Sequence, residues 1–124
     1  MSTEHFTDKE LACHCGCGML PEQSFQDRLE VLRVRYGAPL AVTSGARCPD
    51  YNEKVAHTGR TGPHTQGRAV DISISGHEAF RLLSLAVVMG FTGIGISQKG
   101  TSRFLHLDDL PEVPGQPRPW VWSY

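Results

Sequence analysis

His64 and Asp71 stand seven residues apart in Gly62-Pro63-His64-Thr65-Gln66-Gly67-Arg68-Ala69-Val70-Asp71, and His106 follows in Phe104-Leu105-His106-Leu107-Asp108-Asp109. Two imidazoles and one carboxylate are ligands for a divalent ion such as Zn2+. Three protein ligands leave a fourth position open to water, the pattern of a catalytic rather than a structural zinc site. An ion held in this way lowers the pKa of its water to about 7 and polarises a carbonyl as a Lewis acid. That chemistry requires the three side chains to converge, so the elements that carry them must be neighbours.

Residues 68–75 alternate strictly, with Val70, Ile72 and Ile74 on one side and Ala69, Asp71 and Ser73 on the other, which predicts a strand with one core face. Residues 103–108 predict another strand, in which Leu105 and Leu107 share one face and Phe104, His106 and Asp108 share the other. His64 lies in the loop that enters the first of these strands. Residues 40–44 read as a strand running into the turn Gly45-Ala46-Arg47-Cys48-Pro49, and residues 93–97 as a glycine-punctuated strand. The Pro-rich tail ends in Trp120-Val121-Trp122-Ser123-Tyr124, expected to return as an edge strand.

Helices frame this sheet. Over residues 21–36 the apolar positions Phe25, Leu29, Leu32 and Tyr36 recur at helical spacing, with Pro21 before and Gly37 after. Residues 77–89 form a second helix, closed by Gly90, that turns inward either Phe80, Leu83 and Val87 or Leu82, Ala86 and Met89. Thr7-Asp8-Lys9-Glu10 reads as a capping box for a short first helix. The predicted fold is α+β: a small antiparallel sheet flanked by helices, in one domain over residues 1–124.

Composition narrows the partners. The chain has 124 residues, 12 Lys+Arg against 13 Asp+Glu, a formal net charge of -1, and no two basic residues in succession. The electrostatic footprint of a nucleic-acid or anionic-membrane binder is missing. No apolar run approaches the roughly 20 residues of a spanning helix, and the first residues have neither the basic nor the apolar region of a secretory signal. A monomer made in the cytoplasm is expected.

Cys13, Cys15 and Cys17 fall within five residues, and Cys48 stands alone. C-x-C-x-C lacks the two-residue spacing of zinc knuckles, which argues against a second, structural metal. A disulfide from one of the three to Cys48 and four plain thiols both remain open.

The chain resembles the small phage and bacterial members of the M15-type zinc peptidases, which cleave D-alanyl-D-alanine and related bonds in peptidoglycan. The resemblance is carried in order by Ser44-Gly45-Ala46-Arg47-Cys48-Pro49-Asp50-Tyr51-Asn52, by His64 to Asp71, by Gly90-Phe91-Thr92-Gly93-Ile94-Gly95, by Phe104 to Asp108 and by Trp122-Ser123-Tyr124. It runs from about Phe6 to the end, and five motifs in order are specific where any one is weak. It implies a hedgehog/D-Ala-D-Ala peptidase-like fold, with one Zn2+ per chain on His64, Asp71 and His106. Arg47 is implied as the cation for substrate carboxylate or carbonyl oxygen, with Asn52, Gly67 and the 93–95 turn as shape residues. A guanidinium suits that task because its planar fork matches a carboxylate and keeps its charge. The implied substrate is a peptidoglycan stem peptide, cut by a carboxypeptidase or endopeptidase at the cell wall, and the implied source is a phage or prophage.

Two positions depart from the family pattern. The acidic base three residues before the last zinc His is replaced by Arg103, so Asp108 is the expected base, with Asp109 in reserve. Gly62 stands where a Ser is frequent, so the hydrogen bond that orients the first imidazole is expected to be absent or supplied by Thr61.

Plainer readings stand beside these. His5, His14, His57 and His77 are expected to be surface or satisfied core residues, although His57 can also be a cleft wall or a substitute ligand. Arg47 can be a turn arginine pairing with Asp50 or Glu53 in water, Asp108 and Asp109 can cap a strand end, and Trp120 and Trp122 can be lid or packing residues. A non-hydrolytic zinc-binding module and a virion structural domain are the rival functions on the same fold.

Overall fold

The computed structural model describes residues 3–124. Helix α1 (Asp8–Leu11) carries the predicted capping box, with Thr7 Oγ1 accepting from the Glu10 N–H at 3.2 Å and Glu10 Oε1 accepting from the Thr7 N–H at 3.0 Å. Helix α2 (Gln23–Tyr36) buries Phe25, Leu29, Leu32 and Tyr36 and stops at Gly37, whose φ of 79° is the left-handed value that glycine adopts without strain. Strand β1 (Ala41–Ser44) leads into helix α3 (Pro49–Val55), an element not anticipated from the sequence. Its start was nonetheless written there: Cys48 Sγ caps the Tyr51 N–H, and Pro49 opens the first turn, where a missing N–H costs nothing.

A 3-10 turn over Pro63–Gln66 carries His64 into strand β2 (Ala69–Ser73). Helix α4 (Gly76–Val88) follows, then strands β3 (Gly93–Ser97), β4 (Phe104–Asp108) and β5 (Trp120–Ser123). Of the two faces weighed for α4, the molecule buries Leu82 and Ala86 together with Ala79, whereas Phe80 and Val87 are 71% and 58% exposed.

The sheet order is β1-β2-β4-β3-β5. The first four strands are antiparallel neighbours, but β5 runs parallel to β3, so the sheet is mixed rather than wholly antiparallel. The reason is where the tail re-enters the sheet. It returns at the end of the sheet where it left, since Gly93 pairs with both Asp108 and Trp120; β5 therefore runs against β4 and alongside β3.

One face of this sheet is core. Val70 and Ile72 from β2, Leu105 and Leu107 from β4, and Ile94 and Ile96 from β3 meet α2 and α4 there. On the opposite face one row crosses four strands: Asp71, His106, Gly95 and Trp122. Because side chains alternate with a period of two, a register that buries the leucines and isoleucines necessarily lines up the polar row. Among the described residues no helix is long and apolar enough to cross a membrane.

Candidate metal centre

The register places Asp71 directly opposite His106, and the 3-10 turn brings His64 over the same spot. His64, Asp71 and His106 are 5%, 8% and 2% exposed, and one ligand atom from each lies within 4.8 Å of the others. Asp71 Oδ1 is 3.3 Å from His64 Nε2 and 3.1 Å from His106 Nδ1.

The far nitrogens of both rings are committed. His64 Nδ1 lies 2.7 Å from the Gly45 carbonyl, and His106 Nε2 lies 2.8 Å from Asp108 Oδ2. A carbonyl and a carboxylate only accept, so each of these nitrogens carries a proton. In neutral rings the nitrogens facing Asp71 therefore present lone pairs to a carboxylate oxygen. Without an ion, satisfying every contact needs two buried imidazolium rings around one carboxylate that Arg47 already touches. A divalent cation among the three atoms removes that requirement, so the residues fit a metal.

Arg47 closes the site from the segment between β1 and α3. Its Nε donates to Ser44 Oγ at 2.9 Å, Nη1 to Asn52 Oδ1 at 3.2 Å and Nη2 to Asp71 Oδ2 at 3.1 Å. Three of the five guanidinium donors are thereby spent, and two remain for the cleft. Arg47 is not a solvent-paired turn residue: Arg60 takes Asp50 and Glu53 instead. Asn52, 1% exposed, is more than a shape residue, because its amide also donates to Thr58 Oγ1 and the Gly59 carbonyl and so fixes the loop beyond α3.

Asp108 shares the face of His106, but its carboxylate lies behind the ring rather than in the open cleft. It is fully buried, accepts from both Arg118 Nε and Nη2 at 2.9 Å, and accepts a hydrogen bond from His106 Nε2–H. Both oxygens being held by cationic or N–H donors, Asp108 has no free lone pair facing the trio and orients the imidazole. The reserve, Asp109, is equally engaged, with Arg68 bidentate at 2.8 and 2.7 Å and Arg28 at 3.3 Å. Arg103 is exposed and donates to the Gly100 carbonyl, away from the trio. The group that orients His64 is the Gly45 carbonyl rather than Thr61, whose hydroxyl turns to the Thr58 carbonyl.

The electrostatics follow from these contacts. Burial pushes the Asp71 carboxyl up, but the hydrogen bonds of His106 and His64 outweigh it and hold the group well below the ordinary carboxylate range. Burial pulls His106 down, and its bonds to Asp108 and Asp71 raise it overall. Burial likewise opposes ionisation of Asp108, yet His106 and Arg118 keep it lowered. Burial raises the Tyr124 phenol, which stays a neutral donor.

The trio forms the floor of a cleft of about 470 Å3 whose walls include Arg47, His57, Phe104, Trp122 and Tyr124. Trp122 leans over His106 with ring centroids 5.0 Å apart, so it packs against the site and walls it. The residue that sequence reasoning missed is Arg118. Its signal was available, since it is the one cation in the tail after Asp109.

An α+β fold with a buried His-Asp-His trio, open on one side to a cleft with a guanidinium at its rim, defines a candidate metal centre. The sequence profile described as Peptidase M15 matches residues 4–108, which takes in the trio and Arg47, and the chain belongs to that peptidase family. No curated protein matches the chain.

Proposed function

We propose that the chain is a zinc-dependent peptidase that hydrolyses a D-alanyl-D-alanine or related D-residue bond in peptidoglycan stem peptides, working as a monomer at the bacterial cell wall. The observation that carries the metal part is the proton count at the trio, where both rings have committed their far nitrogens and turn lone pairs toward Asp71 Oδ1. The substrate class is supported by the five ordered motifs and by Arg47, whose two uncommitted N–H groups suit a peptide carboxylate.

Bound at His64, Asp71 and His106, Zn2+ supplies Lewis acidity, acidifying water and polarising a carbonyl. The chain's own residues do the rest. Arg47 binds the substrate's carboxylate or carbonyl oxygen and stabilises the charge that develops on attack. Asp108, held by Arg118, keeps the His106 ring in the tautomer that points Nδ1 at the metal position. Trp122, Phe104 and Tyr124 shield the reacting atoms from bulk solvent. His57 is exposed on the cleft wall, and a ring nitrogen there takes the proton from the attacking water and returns it to the leaving amine.

One observation favours a second reading, a metal-binding module without turnover: besides Asp71, no side-chain carboxylate among the described residues lines the cleft. Metal content measured beside hydrolysis of purified muropeptides, with and without chelator and with products read by mass, separates the two. Chelator-sensitive release of a D-amino acid or of a cross-link establishes the peptidase and its bond. Zinc retained without cleavage establishes the binding module.

A further inference from the structure

A second cluster of metal-ligating side chains lies outside the cleft. Cys13, Cys15, Cys17 and Cys48 place one sulfur each within 4.8 Å of one another. The Cys13 and Cys15 sulfurs are 3.5 Å apart, and those of Cys15 and Cys48 are 3.6 Å apart. All four are free thiols. A tetrahedron with Zn–S bonds of about 2.3 Å spaces its sulfurs about 3.8 Å apart, whereas a disulfide requires about 2.05 Å.

The spacing objection from the sequence is answered by the backbone. Gly16 and Gly18 adopt φ of 89° and 87°, which residues with a Cβ rarely adopt, and they coil the loop tightly enough to turn alternate cysteines toward one point. The coil is closed by the Cys13 N–H donating to the Met19 carbonyl at 2.9 Å. A second observation points to bound thiolates. Backbone N–H groups are aimed at two of the sulfurs, Cys48 N–H at Cys13 Sγ over 3.3 Å and Tyr51 N–H at Cys48 Sγ over 3.4 Å. Such donors stabilise negative sulfur ligands. One disulfide to Cys48 uses two sulfurs and leaves two thiols over, with Cys15 and Cys17 exposed. A single tetrahedral ion uses all four.

We infer that Cys13, Cys15, Cys17 and Cys48 form a tetrathiolate site for a second, structural Zn2+. Binding is ligand exchange: thiol protons leave to solvent, and no electron moves. The site ties the loop after α1 to the segment between β1 and α3. That segment carries Arg47, next to Cys48, and the Gly45 carbonyl that orients His64. Leu11 is already joined to it, since its carbonyl accepts from the Ala46 N–H at 2.9 Å. The structural ion thus anchors the substrate-binding side of the cleft without touching it.

The test uses the full chain purified under reducing, anaerobic conditions. Wild type is expected to hold two equivalents of Zn2+, and His106→Ala, which loses the cleft site, to keep one. When Co2+ replaces that remaining ion, thiolate-to-cobalt charge-transfer absorption is expected, and an organomercurial thiol reagent should release it. Cys15→Ser/Cys17→Ser should bind one equivalent fewer than wild type. Where that variant does not fold, the wild-type cobalt spectrum decides alone. No metal in a folded His106→Ala, a cobalt spectrum without the thiolate band, or a disulfide found by alkylation and intact mass under those conditions would overturn the inference. None of these readouts depends on peptidase activity, so they stand apart from the proposed reaction.

Discussion

A Cβ built on Gly93 would stand 2.2 Å from Oδ1 of Asp108, the residue it faces across the β3–β4 pair. The missing side chain is therefore the space that the buried carboxylate occupies. Gly93→Ala should push Asp108 off Arg118 and off His106 Nε2. We expect a loss of about 1–3 kcal/mol, the usual cost of overpacking a filled site. Zinc affinity should fall about 10- to 100-fold, because the lost partner is what orients a metal-ligating imidazole. Thermal unfolding and zinc competition with a chromogenic chelator measure the two effects; an alanine variant with native zinc affinity would detach Asp108 from the metal site.

The role of Asp108 can be separated from that of a base. Asp108→Asn retains an acceptor for His106 Nε2–H but loses the charge that faces Arg118, so zinc should bind about 10- to 100-fold more weakly. Turnover should then follow metal occupancy and recover in excess zinc. A variant that is fully loaded yet inactive would return Asp108 to proton transfer. Arg118→Leu is the harsher change, leaving a fully buried carboxylate without its cation; breaking a buried pair in this way costs about 3–5 kcal/mol.

The trio and its strands were legible from the sequence because strand alternation ties two things together. Burying Val70, Ile72, Leu105 and Leu107 forces Asp71 and His106 onto the other face. The capping box and the α2 stripe were legible for the same reason: they are local and periodic. The partners of the trio were not. Arg118 reaches Asp108 only because the tail crosses the end of the sheet, and the Gly45 carbonyl reaches His64 through a backbone atom that no residue type reveals. The inward face of α4 was ambiguous because apolar residues surround the helix, so periodicity did not choose between Leu82 and Leu83. The convergence of the four cysteines was not legible from their C-x-C-x-C spacing, because two left-handed glycines change how far apart alternate residues point.

Arg47→Lys tests the rim of the cleft. Lysine offers one ammonium where the guanidinium simultaneously bonds Ser44, Asn52 and Asp71, so it cannot hold that fork and still present donors to substrate. Metal content should be unchanged while kcat/KM on muropeptides falls at least tenfold, or about 1.4 kcal/mol. Unchanged kcat/KM would make Arg47 a structural link between β1 and α3.

His57→Ala tests the proton route. The residue is exposed, lies on the loop after α3, and has no hydrogen bond to the trio, so fold and zinc content should survive its removal. If its ring carries the proton between water and the leaving amine, kcat should drop about 100-fold, the lower range for general acid–base catalysis. His57→Gln, which keeps a polar side chain without an imidazole, should behave like the alanine variant. Wild-type turnover in both would leave the proton to solvent or buffer, and a turnover that rises with buffer concentration in His57→Ala would identify buffer as the acceptor.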